Sequence, residues 1–167
     1  MSSSSVVAAL LSAAISLSVR TALAQKDHGQ DVLEGLVKAT GLSYFIFEGT
    51  ERPVYIVAFK ADNATGVDRW LVRVAYNNAR KNWICVSCTV LDMDDNYSFP
   101  ARLKDRLLRY NSEVPGSKFS WDEKNGDIDV EWEVPTHLAT SSLLEAMIRD
   151  VAATCDSEHD ELAALLK

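Results

Sequence analysis

The sequence predicts an α+β domain: an antiparallel sheet with helices packed on one face, in the order α-β-β-β-β-α-β-β-α. Three observations predict it. Asn125-Gly126 lies between two alternating runs, and an Asn-Gly pair tolerates the positive φ values of a tight hairpin turn. Four β-rich runs lie between Ser43 and Leu91, separated by turn chemistry such as Asp62-Asn63-Ala64-Thr65-Gly66. Apolar residues recur at helical spacing in three further segments, one before the first strand, one after the fourth and one after the hairpin. A sheet of alternating strands has an apolar face, and amphipathic helices of this kind cover it.

In chain order, Asp31 caps a short helix whose Val32, Leu33, Leu36 and Val37 share a side and which stops at Gly41. Residues 43–47, 54–61, 70–76 and 83–91 read as strands. The second helix starts at Ser98 as N-cap with Pro100 in its first turn, where a missing N–H costs nothing. Its apolar stripe is Leu103, Leu107 and Tyr110. The hairpin follows. With Asn125 and Gly126 as a two-residue loop, Trp121 faces Val130, Phe119 faces Trp132 and Lys118 faces Glu133. Phe119, Trp121, Ile128, Val130, Trp132 and Val134 then share one face, and Asp127, Asp129, Glu131 and Glu133 the other. In the third helix Ser142 and Glu145 have capping-box spacing, and Leu144, Met147, Ile148, Val151 and Cys155 form the buried stripe. An acidic stretch, residues 156–161, leads to a terminal extension with Leu162, Leu165 and Leu166.

The 167 residues amount to one domain. Residues 1–24 read as a secretory signal peptide. The apolar run 6–19 is about 14 residues, short of the ~20 that cross a bilayer. Ala22 and Ala24 supply the small residues of a cleavage site before Gln25. Residues 25–30 are then a link and residues 31–167 the domain, exported to a periplasmic or extracellular compartment, with a cytoplasmic chain as the alternative. No membrane segment is expected in the mature form. The chain carries 24 acidic against 17 basic residues, a net charge of −7, which repels phosphate backbones and argues against nucleic acid as a partner.

Cys85, Cys88 and Cys155 are too few for a disulfide framework. Cys85-Val-Ser-Cys88 has the C-x-x-C spacing but lies on a strand, where residues three apart point to opposite faces. It is read as neither a redox nor a zinc pair; Cys88 belongs to the core and Cys155 to the third helix's stripe. Asp92-Met93-Asp94-Asp95-Asn96 gathers oxygen ligands but lacks the glycine and distant glutamate of an EF-hand loop. No nucleophile elbow or phosphate-binding glycine loop is present. No catalytic residue, metal ligand or cofactor is expected. The rival reading is a metal-dependent hydrolase or calcium-binding protein built on loop 92–96.

The passage Leu107-Leu108-Arg109-Tyr110-Asn111-Ser112-Glu113, then Gly116-Ser117-Lys118-Phe119-Ser120-Trp121-Asp122, then Asn125-Gly126-Asp127-Ile128, resembles the YbjN-like family of bacterial sensory transduction regulators. The helix from Ser142 is similar to that family's closing element. The likeness covers residues 31–166. It implies a type III secretion chaperone-like fold, a non-enzymatic role, and no active site to carry over.

Function is therefore expected to be protein binding, by a chaperone-like or regulatory module with a protein partner or as a homodimer. The fourth strand turns Trp83, Cys85, Ser87, Thr89 and Leu91 away from the helices, and Trp70, Val72, Val74 and Tyr76 make a second apolar row, so the sheet is read as apolar on both faces and in need of a second cover. The residues expected to meet the partner are Trp70, Tyr76 and Trp83, with Glu131 on the acidic hairpin face steering the encounter.

Overall fold

The structure, a computed structural model, describes residues 28–50, 52–77, 82–93, 99–122 and 124–166. The chain divides into two units, residues 1–34 and 35–167. Of the first, residues 28–34 are described, the start of helix α1 (His28–Ala39). The expected signal peptide 1–24 lies outside the described residues. Residues 28–30, expected as link, are already helical, so Asp31 stands inside α1 instead of capping it.

In the second unit, α1 ends where Gly41 takes φ +73°, and Thr40 caps it: its hydroxyl donates to the Val37 carbonyl at 2.7 Å and accepts from the Leu42 N–H at 3.2 Å. Six antiparallel strands follow: β1 (Phe45–Phe47), β2 (Val54–Lys60), β3 (Arg69–Tyr76), β4 (Trp83–Leu91), β5 (Lys118–Trp121) and β6 (Ile128–Pro135). They form one sheet in the spatial order β1-β2-β3-β4-β6-β5. Between β4 and β5 runs helix α2 (Ala101–Glu113). A 3₁₀ turn, Thr136–Leu138, leads from β6 into helix α3 (Ser141–Leu165). The order α-β-β-β-β-α-β-β-α is the one the sequence predicts.

One face of the sheet is covered. Helix α3 lies across β3, β4 and β6, and α2 packs beside it against β5. Alternation supplies the contact surface: Tyr55 and Val57, then Val72 and Val74, Ile84 and Val86, Ile128 and Val130 are buried on this side. They meet Leu144, Met147, Ile148 and Val151 of α3 and Leu103 of α2, all fully buried, as the helical stripes require. Arg106 ties α2 to α3 through Glu158 and through Glu161, at 2.6 Å from its Nε, and Arg102 Nε donates to the Leu165 carbonyl at 2.9 Å. Among the described residues no helix is long and apolar enough to cross a membrane.

The structure corrects five local expectations. The hairpin register is shifted by two: Phe119 faces Val130, Trp121 faces Ile128, and Lys118 faces Glu131. A two-residue loop is replaced by a wider one in which the Gly126 N–H donates to the Asp122 carbonyl at 2.8 Å and the Asn125 side chain accepts from the Asp127 N–H at 3.1 Å. Because strands repeat every two residues, the slip leaves each side chain on its expected face. The Lys118 ammonium donates to the carbonyls of Asn111, at 2.9 Å, and Val114. The N-cap of helix α3 is Thr140, two residues before Ser142, accepting from the Leu143 N–H at 3.2 Å, and the helix runs unbroken through the acidic stretch. Helix α2 begins at Ala101 after Pro100; Ser98 lies outside the described residues. Leu91 is buried, because a bulge between Thr89 and Leu91 turns it to face Ile128. Finally, Val74 pairs with Val86 and Tyr76 with Ile84, so the Trp70 row lies on the same face as the Ile84 row, beneath the helices.

Candidate protein-binding face

The uncovered face is set by the cross-strand register. One row runs Phe45, Ile56, Arg73, Ser87, Glu131, Lys118 from edge to edge of the sheet. A neighbouring row runs Phe47, Val54, and then Ala75, Cys85, Glu133. The face therefore has two halves. On β1 to β3 it is largely apolar, with Phe45, Phe47 and Leu71 about half exposed and the exposed Lys60–Arg69 pair at its far end. On β4 to β6 it is polar and acidic.

Arg73 stands at the boundary. Its guanidinium donates to Asp129 at 2.9 Å and to the Thr89 hydroxyl at 3.3 Å, and Thr89 in turn donates to Asp129 at 2.6 Å. Burial, and with it the carboxylates of Asp129 and Glu133, raises the Glu131 carboxyl above its ordinary value despite a hydrogen bond from Ser120. Burial first, then Glu131 and Glu133, pushes the Cys85 thiol up to about 12, so the more accessible cysteine of the C-x-x-C pair is kept a thiol and not a thiolate. Cys88 is buried on the opposite face.

The four residues expected at the interface divide between the faces. Trp70 and Tyr76 are only 4% and 8% exposed, in the core under α3, and cannot present their rings to a partner. Trp83 and Glu131 lie half-buried on the uncovered face. What the sequence missed is the apolar half, Phe45, Phe47 and Leu71. The signal was there in Phe45-Ile46-Phe47, a short apolar strand followed by turn residues at the outer end of the sheet.

A second apolar patch lies where α2 meets β5. Leu108 is 67% and Trp121 51% exposed, and the Phe99 and Trp121 rings approach to 5.0 Å. Here the sequence motif has a structural explanation. The Asn111 side chain accepts from the Phe119 N–H at 2.8 Å and donates to the Phe119 carbonyl at 2.9 Å, closing the outer edge of β5 at that residue. Gly116, at φ +97°, makes the sharp approach to β5, with only 3.3 Å between a Cβ there and the Trp132 ring.

Among the described residues no three His, Cys, Asp or Glu side chains converge as a metal site. Most of the acidic loop 92–96 lies outside the described residues.

No protein-family model matches the sequence, and no curated protein matches it. The YbjN-like resemblance thus rests on the residues quoted for it alone. Solved structures do match. The chain is similar to a chain of the HopA1–SchA chaperone–effector complex, with a TM-score of 0.51 at 12% identity, over 78% of this chain and 92% of that one. It is similar to a chain of the ExsC–ExsE complex, with a TM-score of 0.50 at 14% identity, over 80% and 92%. A chain from the Yersinia pestis type III secretion chaperone SycH in complex with a stable fragment of YscM2 aligns at a TM-score of 0.46 and 17% identity, over 82% and 98%. At these identities the likeness to the first two establishes the fold alone, the one shared with a chain of the HopA1–SchA chaperone–effector complex and a chain of the ExsC–ExsE complex.

Proposed function

We propose that this chain is a non-enzymatic, exported, protein-binding module that works as a chaperone or regulator for a client protein. One observation carries this reading: a sheet that the described helices α2 and α3 cover on one side, whose other face is apolar at the β1 end and acidic at the far end. Apolar surface in water costs about 25 cal/mol per Å², which an extended client segment lying against Phe45, Phe47 and Leu71 would recover. The fold shared with a chain of a chaperone–effector complex supports the same reading, as does the YbjN-like passage.

Replacing Phe47 and Leu71 together with serine is expected to abolish client capture when the chain is used as bait in its source organism. The thermal midpoint should hold, because both side chains already face solvent. Glu131→Gln is expected to leave capture intact and to reduce its salt dependence. Capture of the same proteins, in the same yield, by the Phe47/Leu71 variant would overturn the assignment of this face.

Leu108 and Trp121 favour a homodimer as a companion reading, because so large a pair of exposed apolar side chains on one patch suits an isologous contact. Sedimentation should then show a dimer for the native chain and a monomer for Leu108→Glu. A native chain that stays monomeric at high concentration removes the dimer and leaves the client face untouched.

A further inference from the structure

Two of the three cysteines meet across the helix–sheet interface. Cys88 on β4 and Cys155 on α3 are buried, and the Cys155 thiol lies 3.8 Å from the Cys88 carbonyl oxygen. The Cys88 thiol itself lies 3.8 Å from the carbonyl oxygen of Thr89, the next residue on β4. The two cysteines lie 67 residues apart in sequence, so no local spacing announces the pair.

A route leads to one of them. The β3–β4 ladder holds only from Arg73 opposite Ser87 to Tyr76 opposite Ile84. Beyond it, Arg69 to Val72 pair with β2 alone, and Cys88 to Leu91 are held by β6 alone. There a groove of about 490 Å³ opens, lined by Trp70, Leu71, Cys88, Thr89, Val90 and His159 among others. Cys88 borders the groove; Cys155 does not line it.

We propose that Cys88 and Cys155 are a peroxide-reactive dithiol, in which a small hydroperoxide entering the β3–β4 groove oxidises Cys88 and Cys155 then closes a disulfide between sheet and helix. The Cys88 sulfur attacks one oxygen of hydrogen peroxide. An S–O bond forms, the O–O bond breaks, and the released hydroxide takes the thiol proton and leaves as water. The Cys155 sulfur then attacks the Cys88 sulfenic acid. The S–S bond forms, the S–O bond breaks, and the Cys155 proton departs with the hydroxyl as a second water. Two thiols give up two electrons and two hydrogens, and the peroxide is reduced to water. The division of roles fits the electrostatics: the neighbouring Cys155 thiol, then the Arg73 charge, lowers the Cys88 thiol from its ordinary value, whereas Cys88 and burial raise Cys155. Cys85, on the other face and held up by Glu131 and Glu133, takes no part.

The test treats the reduced full chain with equimolar hydrogen peroxide, alkylates it under denaturing conditions and maps the peptides. The expected product is a linked pair containing Cys88 and Cys155, two hydrogens lighter than the separate peptides, with Cys85 alkylated. The oxidised chain should unfold at a higher temperature than the reduced one, since the bond closes a long loop of the unfolded chain. In Cys155→Ala, folded by circular dichroism, dimedone should trap a sulfenic acid on Cys88. Should that variant fail to fold, the native peptide map decides alone. Oxidation falling first on Cys85, disulfides only between chains, or full alkylation of Cys88 and Cys155 after excess peroxide would each overturn the proposal.

Discussion

Trp70→Ala is expected to cost about 4 kcal/mol of folding stability, read as a lower denaturant midpoint with an unchanged slope. The indole is 4% exposed on β3 beneath α3, with the His159 ring 5.7 Å from its own. Truncation removes a large buried ring and leaves a cavity at the point where the sheet meets the last third of α3. It also removes the Nε1–H that donates to Asp156 at 3.1 Å. Set against a domain stability of about 5–15 kcal/mol, that loss is severe. Trp70→Phe separates the two contributions: it keeps most of the packing, loses the N–H, and should cost about 1–2 kcal/mol. An alanine variant that unfolds at the native midpoint but no longer binds a client would restore Trp70 as a surface residue and contradict its burial.

Trp70 also marks where sequence reasoning stops. Alternation within β3 says that Trp70, Val72, Val74 and Tyr76 share a face, but the strand cannot say which face. That depends on the pairing of Val74 with Val86, a partner that no property of the strand itself selects. The periodic features were legible because they are local: β4 has the bounds 83–91 expected of it, and the stripe from Leu144 to Cys155 is buried throughout. The hairpin was legible in faces and not in register, because a slip of two preserves the alternation that was read. The uncovered apolar half was harder. Phe45 and Phe47 on β1 and Leu71 on β3 become one surface only through the ladders β1–β2 and β2–β3. The acidic stretch 156–161 is a structural clamp whose partners lie 52 to 95 residues away.

That clamp should make stability fall in acid. Asp156 accepts from the backbone N–H groups of Asp62 at 3.0 Å, Asn63 at 3.1 Å and Ala64 at 3.4 Å, and from the Asn63 amide at 2.6 Å and the Trp70 indole. One turn further along α3, Asp160 accepts from the Thr65 N–H at 2.8 Å and its hydroxyl at 2.6 Å. Together they hold the β2–β3 turn against the helix. Desolvation pushes the Asp156 carboxyl up, but the hydrogen bonds from Trp70, Asn63 and Ala64 outweigh it and bring it down to about 2. The Thr65 hydroxyl, then His159 and the Thr65 N–H, bring Asp160 to about 2 as well. Both folded values lie below the ordinary 3.8, so the stabilisation is fully present above about pH 4 and is lost as pH falls through about 2. Solvent screens carboxylates this open, so Asp156→Ala should cost about 1–2 kcal/mol at neutral pH, less than its bonds would sum to. Asp156→Asn keeps an acceptor but cannot ionise. Urea midpoints measured from pH 2 to 7 should therefore converge for the native chain and Asp156→Asn at the acid end and separate above pH 4. Parallel curves over the whole range would mean that the turn is held by its own backbone and that the acidic stretch is a solvated face after all.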